Sequence, residues 1–360
     1  MSRNMVDVNQ AIFSGLDSHC ASQELSLKNA GTPRWIESRA QDRRFIKSAK
    51  LIDRVSVGPS RAILRFDLDG STYFACQGLS QQIEISGVFF LEPEAGQAAT
   101  LIYEARPRPI SDLSIIRQFV EFSDKESDPS YPGHPAQGLL TVFPQLSIGK
   151  FPELIPEETW RHFFLISLCE VAGSSWISEN LIHTLRAVCD LDPATIPYKT
   201  LCRSIFDTDP SALFLALYRC IEALYAYDSA KKVGKALKLD TDWSDIAVVL
   251  EDEIGWHPRE EGSLEKLLIL AEKHDLNGAC TSLGATDLPE EHGALARRAA
   301  KQIYKTRNAL VHYRPSHHKI DISKTDWARV CSYMSGIVLS IYFSVFITKD
   351  DLNRSRTINA

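Results

Sequence analysis

The sequence has no Cys-x-x-Cys pair, no long apolar run, no excess of positive charge and no glycine-rich phosphate loop, and each absence removes a class. Its eight cysteines stand apart at positions 20, 76, 169, 189, 202, 220, 280 and 331. Without paired spacing or a matching histidine spacing they exclude a zinc framework. Their mostly apolar surroundings mark them as free core thiols of a reducing cytoplasm. No apolar run approaches the ~20 residues that span a bilayer. The stretch Ile337–Thr348 is short and broken by Ser340, Tyr342 and Ser344, so it reads as a buried helix near the C-terminus. Met1-Ser2-Arg3-Asn4 leads into no cationic and then apolar segment, so secretion is not expected. The net charge is −6. A protein that tracks along nucleic acid is basic overall, which leaves only a compact substrate met at one local patch. Gly133-His134 and Gly149-Lys150 make no phosphate loop, and Ser174-Ser175 makes no nucleophile elbow. The acids Asp240, Asp242, Asp245, Glu251, Asp252 and Glu253 lack calcium-loop spacing and read as a solvated helix face. No cofactor, no metal and no membrane partner is expected.

What is present divides into two patterns. The chain of 360 residues has room for two or three domains. Residues 1–45 are partly helical and then irregular. They hold a basic stretch that begins at Arg34, Arg39, Arg43 and Arg44 and is diluted enough by acids to read as a solvated face. From Leu51 the pattern alternates. Ile52 to Val57, Ala62–Phe66, Thr72–Cys76, Ile83–Ile85 and Ala99–Tyr103 are expected as short strands. Asp69-Gly70 is the expected hairpin turn, and brief connections favour an antiparallel sheet. Ile110–Phe122 reads as a helix, and Lys125–Gly138 as a loop or linker rich in Pro, Gly and Ser.

After about Pro156 the spacing is helical. Helices are expected over 157–171, 178–188, 243–254, 264–274, 290–313 and 327–347, and another opens at Asp209-Pro210. The fold class is therefore α+β: an N-terminal antiparallel β-rich domain followed by an all-α helical bundle. The boundaries place a β-rich sensing or recognition domain at 1–135, a helical connecting region at 136–206 and a helical domain at 207–350.

The string Arg307-Asn308-Ala309-Leu310-Val311-His312 lies near the end of one expected helix. Lys301, Lys305, Arg314, His317, His318 and Lys319 surround it, and no carboxylate occurs between Glu291 and Asp321. It is a basic island in an acidic chain. Helix geometry puts Tyr304, Asn308 and His312 on one face, with Arg307 one step round and long enough to reach over it. Ala299, Ile303, Thr306 and Leu310 line a separate stripe suited to a core.

Such a set suits a phosphodiester. Histidine titrates near pH ~6.5 and can move a proton. Arginine keeps its charge and offers a planar fork to phosphate oxygens. Asparagine can orient either. RNA brings its own nucleophile, the 2′-hydroxyl, so this chemistry selects RNA over DNA.

Arg307-Asn308-x-x-x-His312 near a helix end resembles the motif of the HEPN superfamily, the higher eukaryotes and prokaryotes nucleotide-binding domains. Leu217-Tyr218-Arg219-Cys220-Ile221-Glu222-Ala223-Leu224 looks like the opening helix of that family, and Tyr313-Arg314-Pro315 is similar to how its members leave the motif. The resemblance covers roughly Asp207–Thr348. It implies an HEPN-like helical domain that dimerises so that two motifs face each other. It implies a metal-independent endoribonuclease acting through 2′-hydroxyl attack, in a toxin or phage-defence setting. Arg307, Asn308 and His312 are the implied catalytic residues, Lys301, Lys305 and Arg314 the RNA contacts, and Glu222 and Tyr304 the supporting residues. The partners implied are RNA, a second copy of the chain, and a protein or phage-derived trigger at the N-terminal domain. A catalytically inactive HEPN-like module that binds RNA or nucleotide stands as the alternative.

Blander readings remain open beside these. His312 suits the C-terminus of a helix, where the dipole favours a cation. Arg307 can pair with Glu222 and hold two helices together. Tyr304 can pack, and the His317-His318-Lys319 cluster can be an exposed loop. Trp243, Trp256 and Trp327 can anchor the helical core or a subunit interface.

Overall fold

A computed structural model describes residues 3–57, 60–79, 89–122, 129–151, 156–172, 176–191, 195–312 and 325–346. The chain forms an α+β fold of two compact units, divided between His162 and Phe163.

In the first unit, α1 (Met5–Ser22) and α2 (Ala40–Ser48) precede β1 (Lys50–Val57), β2 (Arg61–Leu68), β3 (Ser71–Gln77) and β4 (Phe89–Leu91). Then come α3 (Ala95–Ala105), α4 (Leu113–Val120), α5 (Ala136–Val142), β5 (Leu146–Phe151) and α6 (Pro156–Val171), in which the division falls. The strands form an antiparallel sheet in the order β1-β2-β3-β5-β4. The β2–β3 hairpin turns at Asp69 and Gly70, whose φ angles of 52° and 74° are the paired left-handed values a two-residue turn requires. Leu64, Phe66, Ala75 and Ile148 from the sheet close a core with Ile12 and Leu16 of α1, Phe45 of α2 and Leu101 of α3.

Three sequence expectations change here. Ala99–Tyr103 is helix, not strand. Glu94 and Gln97 form a capping box, and Ala98, Ala99, Leu101 and Ile102 are buried at helical spacing. Five mostly apolar residues in a row carry too little periodicity to separate the two forms. The division also lies beyond Lys125–Gly138, because β5 hydrogen-bonds between β3 and β4 and so draws residues past 135 into the sheet unit. Of the basic N-terminal stretch, Arg39, Arg43 and Arg44 are exposed, but Arg34 is buried against Asp17. The expected strand Ile83–Ile85 lies outside the described residues.

The second unit is helical. It contains α7 (Glu179–Val188), α8 (Tyr198–Ser204), α9 (Ser211–Glu222), α10 (Tyr227–Leu237), α11 (Trp243–Ile254), α12 (Glu260–Leu268), α13 (Lys273–Ser282), α14 (His292–Val311) and α15 (Trp327–Phe346). Asp209 accepts from the Ser211 N–H at 2.9 Å and so caps α9. The expected helix over 264–274 divides, since Glu272 is extended and opens α13. Leu267 and Leu268 are buried on α12 and Leu276 and Cys280 on α13, and both helices pack on α14.

At the centre is α15, packed against α7, α9 and α13, with Val330, Met334, Ile337 and Ile341 fully buried. By length and composition this helix also meets the requirement for crossing a bilayer, and half of its apolar stretch is buried inside the bundle. The hydroxyl interruptions that argued against a span belong to it: Ser340 and Ser344 donate back to carbonyls four residues earlier, and Tyr342 donates to the Cys220 carbonyl. Trp327 lies 5.7 Å from the Phe214 ring, and Trp243 packs edge-on to Tyr227. All eight cysteines are free, and all but Cys169 are buried.

Candidate active site at the end of α14

Helix α14 starts at Glu291, whose carboxylate accepts from the N–H groups of Gly293 and Ala294. Leu295, Ala296, Ala299, Ala300, Ile303 and Thr306 are its buried stripe. Lys301 and Lys305 are exposed, and Tyr304, Asn308 and Leu310 are half-buried. Helical geometry sets Lys301, Lys305 and Asn308 within about 60° of each other, so they form one outward strip.

Arg307 does not reach over that strip. It points to α9, where Nη2 donates to Glu222 Oε1 at 3.3 Å. Nη1 donates to Asn308 Oδ1 at 3.0 Å, and a second carboxylate, Glu260 Oε2 at the first turn of α12, stands 4.0 Å from it. The guanidinium also lies over the ring of Tyr218, 5.7 Å from its centroid, within cation–π range. Tyr225 donates its hydroxyl to that of Tyr218 at 2.6 Å. The expected reach of Arg307 toward His312 is thus replaced by a link between α14 and α9. On an ideal helix the two residues diverge by roughly 140° and are about 7 Å apart along the axis.

His312 has already left the helix. Its φ and ψ are −106° and 103°, and its N–H closes the last turn on the Asn308 carbonyl at 2.9 Å. Its side chain is exposed and makes no hydrogen bond among the described residues. This geometry satisfies a capping role as well as a chemical one. Arg314, His317, His318 and Lys319 lie outside the described residues.

The electrostatics around Arg307 follow from burial. Arg307 is 19% exposed and Glu222 28%. Burial raises the Glu222 carboxyl above its ordinary range, the Arg307 charge opposes this, and Glu260 adds to it. Burial also pushes the Tyr218 hydroxyl up to about 12 and raises that of Tyr225 still more. Both phenols therefore stay neutral near pH 7. Arginine offers five N–H donors in a fixed fork. Among the described residues, two are engaged, by Asn308 and Glu222.

Tyr218, Tyr225 and Glu260 join this cluster without having been singled out. Tyr218 and Glu222 are four apart on α9, a spacing that puts both on one helix face, so Tyr218 was accessible to sequence reasoning once Glu222 was chosen. Glu260 comes from a distant first turn and carries no local signal. Among the described residues no group of three or more His, Cys, Asp or Glu side chains is placed to hold a metal ion. Set against family models, curated proteins and solved structures, the chain matches none of them.

Proposed function

We propose that the helical unit is a metal-independent endoribonuclease that cleaves RNA by attack of its own 2′-hydroxyl. The observation that carries this reading is the division of labour at the end of α14: a guanidinium held by Asn308 and Glu222, and an exposed imidazole where the helix stops. In the reaction the 2′-oxygen bonds to phosphorus and the bond to the 5′-oxygen breaks. The products are a 2′,3′-cyclic phosphate and a 5′-hydroxyl. One proton leaves the nucleophile and one reaches the leaving group. His312 serves these transfers, Arg307 stabilises the crowded phosphate and Asn308 fixes the guanidinium. Lys301 and Lys305 hold the strand along the outward strip, and Arg314 is a further RNA contact.

Two proton transfers and one motif histidine per chain favour a site shared by two copies, with one imidazole as base and the other as acid. A homodimer through the helical unit, a cytoplasmic location and a role in toxin or phage-defence systems belong to the same proposal. The sheet unit then receives a protein or phage-derived trigger. The experiment is incubation of the purified chain with total RNA in EDTA, followed by end analysis. Cyclic phosphate ends support the reading, and 5′-phosphate ends or intact RNA reject it.

One observation favours a second reading, an inactive HEPN-like module that binds RNA or nucleotide. Arg307 lies between Glu222 and Glu260, so its charge is partly compensated before any phosphate arrives. In that case Arg307→Ala weakens RNA binding while no RNA is cleaved by the parent chain.

A further inference from the structure

Helix α1 of the sheet unit has two faces, and only one of them is packed. Val8, Ile12, Leu16 and Cys20 are buried in the core. One step round, Val6, Gln10 and Ser14 are exposed. Opposite them runs the segment Gly31–Trp35, and between the two lies a cavity of about 640 Å³. Sites for small molecules typically measure ~300–1,000 Å³.

The walls and floor differ in chemistry. Trp35, Pro33, Met5 and the Phe13 edge supply aromatic and apolar surface. Trp35 is held from behind: its indole N–H donates to the Pro132 carbonyl at 3.1 Å, and its ring lies 4.5 Å from that of Tyr131. Its backbone carbonyl accepts from the His134 N–H at 2.7 Å. A ring fixed in this way is a stacking platform that loses little freedom on binding. The floor is the Arg34–Asp17 ion pair, with side chains 1% and 16% exposed. Arg34 also lies over Phe13, 5.1 Å from the ring centroid. Asp17 Oδ2 accepts from Arg34 and from the Gly31 N–H, while Oδ1 is closed to solvent and has no hydrogen-bond partner among the described residues. A buried acceptor without a donor is unfavourable. Oδ1 meets the cavity only when the carboxylate rotates about its terminal torsion, which costs Oδ2 its bond to the Gly31 N–H.

We infer that this cavity is a binding site for a purine base that carries an amino group, stacked on Trp35 and donating an N–H to Asp17. The ion pair makes the floor neutral overall, so an uncharged planar ring suits it better than a bare phosphate. Gln10 and Ser14 at the rim supply both donors and acceptors for the remaining edge of the ring. The fused ring covers more of the indole than a pyrimidine does, which sets the preference. This inference rests on the cavity alone and is independent of the reading of α14.

The test is calorimetric titration of the full chain with adenosine, guanosine, cytidine and unsubstituted purine riboside. Adenosine or guanosine binds saturably, with cytidine and purine riboside weaker by about tenfold or more. Trp35→Ala removes binding and Trp35→Phe keeps most of it. Ser14→Trp fills the cavity from an exposed helical position, so it removes binding while leaving the thermal transition in place. The inference is overturned if neither adenosine nor guanosine binds by about 10 mM. It is equally overturned if Trp35→Ala and Ser14→Trp leave their binding unchanged. Equal binding of purine riboside also overturns it, since the amino group would then not be read.

Discussion

The guanidinium of Arg307 and the carboxylate of Glu222 join α14 to α9, with Nη2 3.3 Å from Oε1, and neither is fully exposed. The pair is not symmetrical in energy. Burial outweighs the attraction on the Glu222 side, since its carboxyl titrates above its ordinary range even with Arg307 beside it. Arg307 has other support from Asn308, the Tyr218 ring and the more distant Glu260. Losing one partner therefore differs from losing the other.

Arg307→Met leaves Glu222 partly buried with only the weaker pull of Arg219. We expect it to destabilise the helical unit by about 1–2 kcal/mol at pH 7. Glu222→Gln keeps the shape, removes the desolvated charge and leaves Arg307 its other partners, so it costs less than about 0.5 kcal/mol. Urea denaturation of the two variants checks the order. Equal losses would show that the pair acts as a simple bridge.

The same shift gives a pH dependence. The folded chain holds the Glu222 proton more tightly than the unfolded chain does, since the carboxyl is raised from its ordinary value of 4.5. In the window between the unfolded and the raised folded value, the folded state binds more protons, so stability falls as pH rises. The contribution is fully present below 4.5 and is lost above the folded value. Stability measured from pH 4 upward should therefore decline more steeply in the parent chain than in Glu222→Gln. Parallel curves would place the raised carboxyl elsewhere.

The parts of this fold that were legible in sequence are those with long periodicity or strong punctuation. The repeat of Leu213, Leu217, Cys220 and Ile221 fixed α9, and Asp69-Gly70 fixed the β2–β3 turn. Ala99–Tyr103 misled because a buried alanine-rich helix and a buried strand look alike over five residues. No local pattern in the sequence marks β5, since its partners β3 and β4 are distant in the chain. At the candidate site the helix, its end and the α9 partner Glu222 were readable. The direction of Arg307 was readable as one of two options, the pairing with Glu222; the approach of Glu260 was not, because it arrives from another helix.

Close helix contact gives a stability prediction away from any site. A Cβ at Gly278 on α13 would stand 2.3 Å from the Tyr333 ring of α15. Alanine gains up to about 1 kcal/mol of helix propensity over glycine, but forcing the ring aside costs about 1–3 kcal/mol. Gly278→Ala should lower the thermal transition of the helical unit, and Tyr333→Ala should relieve much of that loss when combined with it. A rise in the transition would show that the two helices separate freely.

His312 is exposed beyond the last turn of α14, so its removal should leave the fold intact. His312→Ala is expected to keep the circular dichroism and the thermal transition of the parent, while RNA cleavage in EDTA falls about 10²-fold or more. Cleavage at the parental rate would take the imidazole out of the chemistry.

Whether two imidazoles share one reaction is open to a mixing experiment. Subunits of the parent chain and His312→Ala, exchanged at one part to three, pair at random if the variant leaves the interface unchanged. A mechanism that needs one imidazole from each copy runs only in parent–parent dimers. Those are about one sixteenth of the total in a two-fold dimer. Independent sites would instead keep about one quarter of the activity, in proportion to the parent chains present. The steeper loss is expected, because base and acid are separate tasks and each chain brings one motif histidine to them. A linear loss would assign the second proton transfer to another group or to water, and would leave the shared site without support.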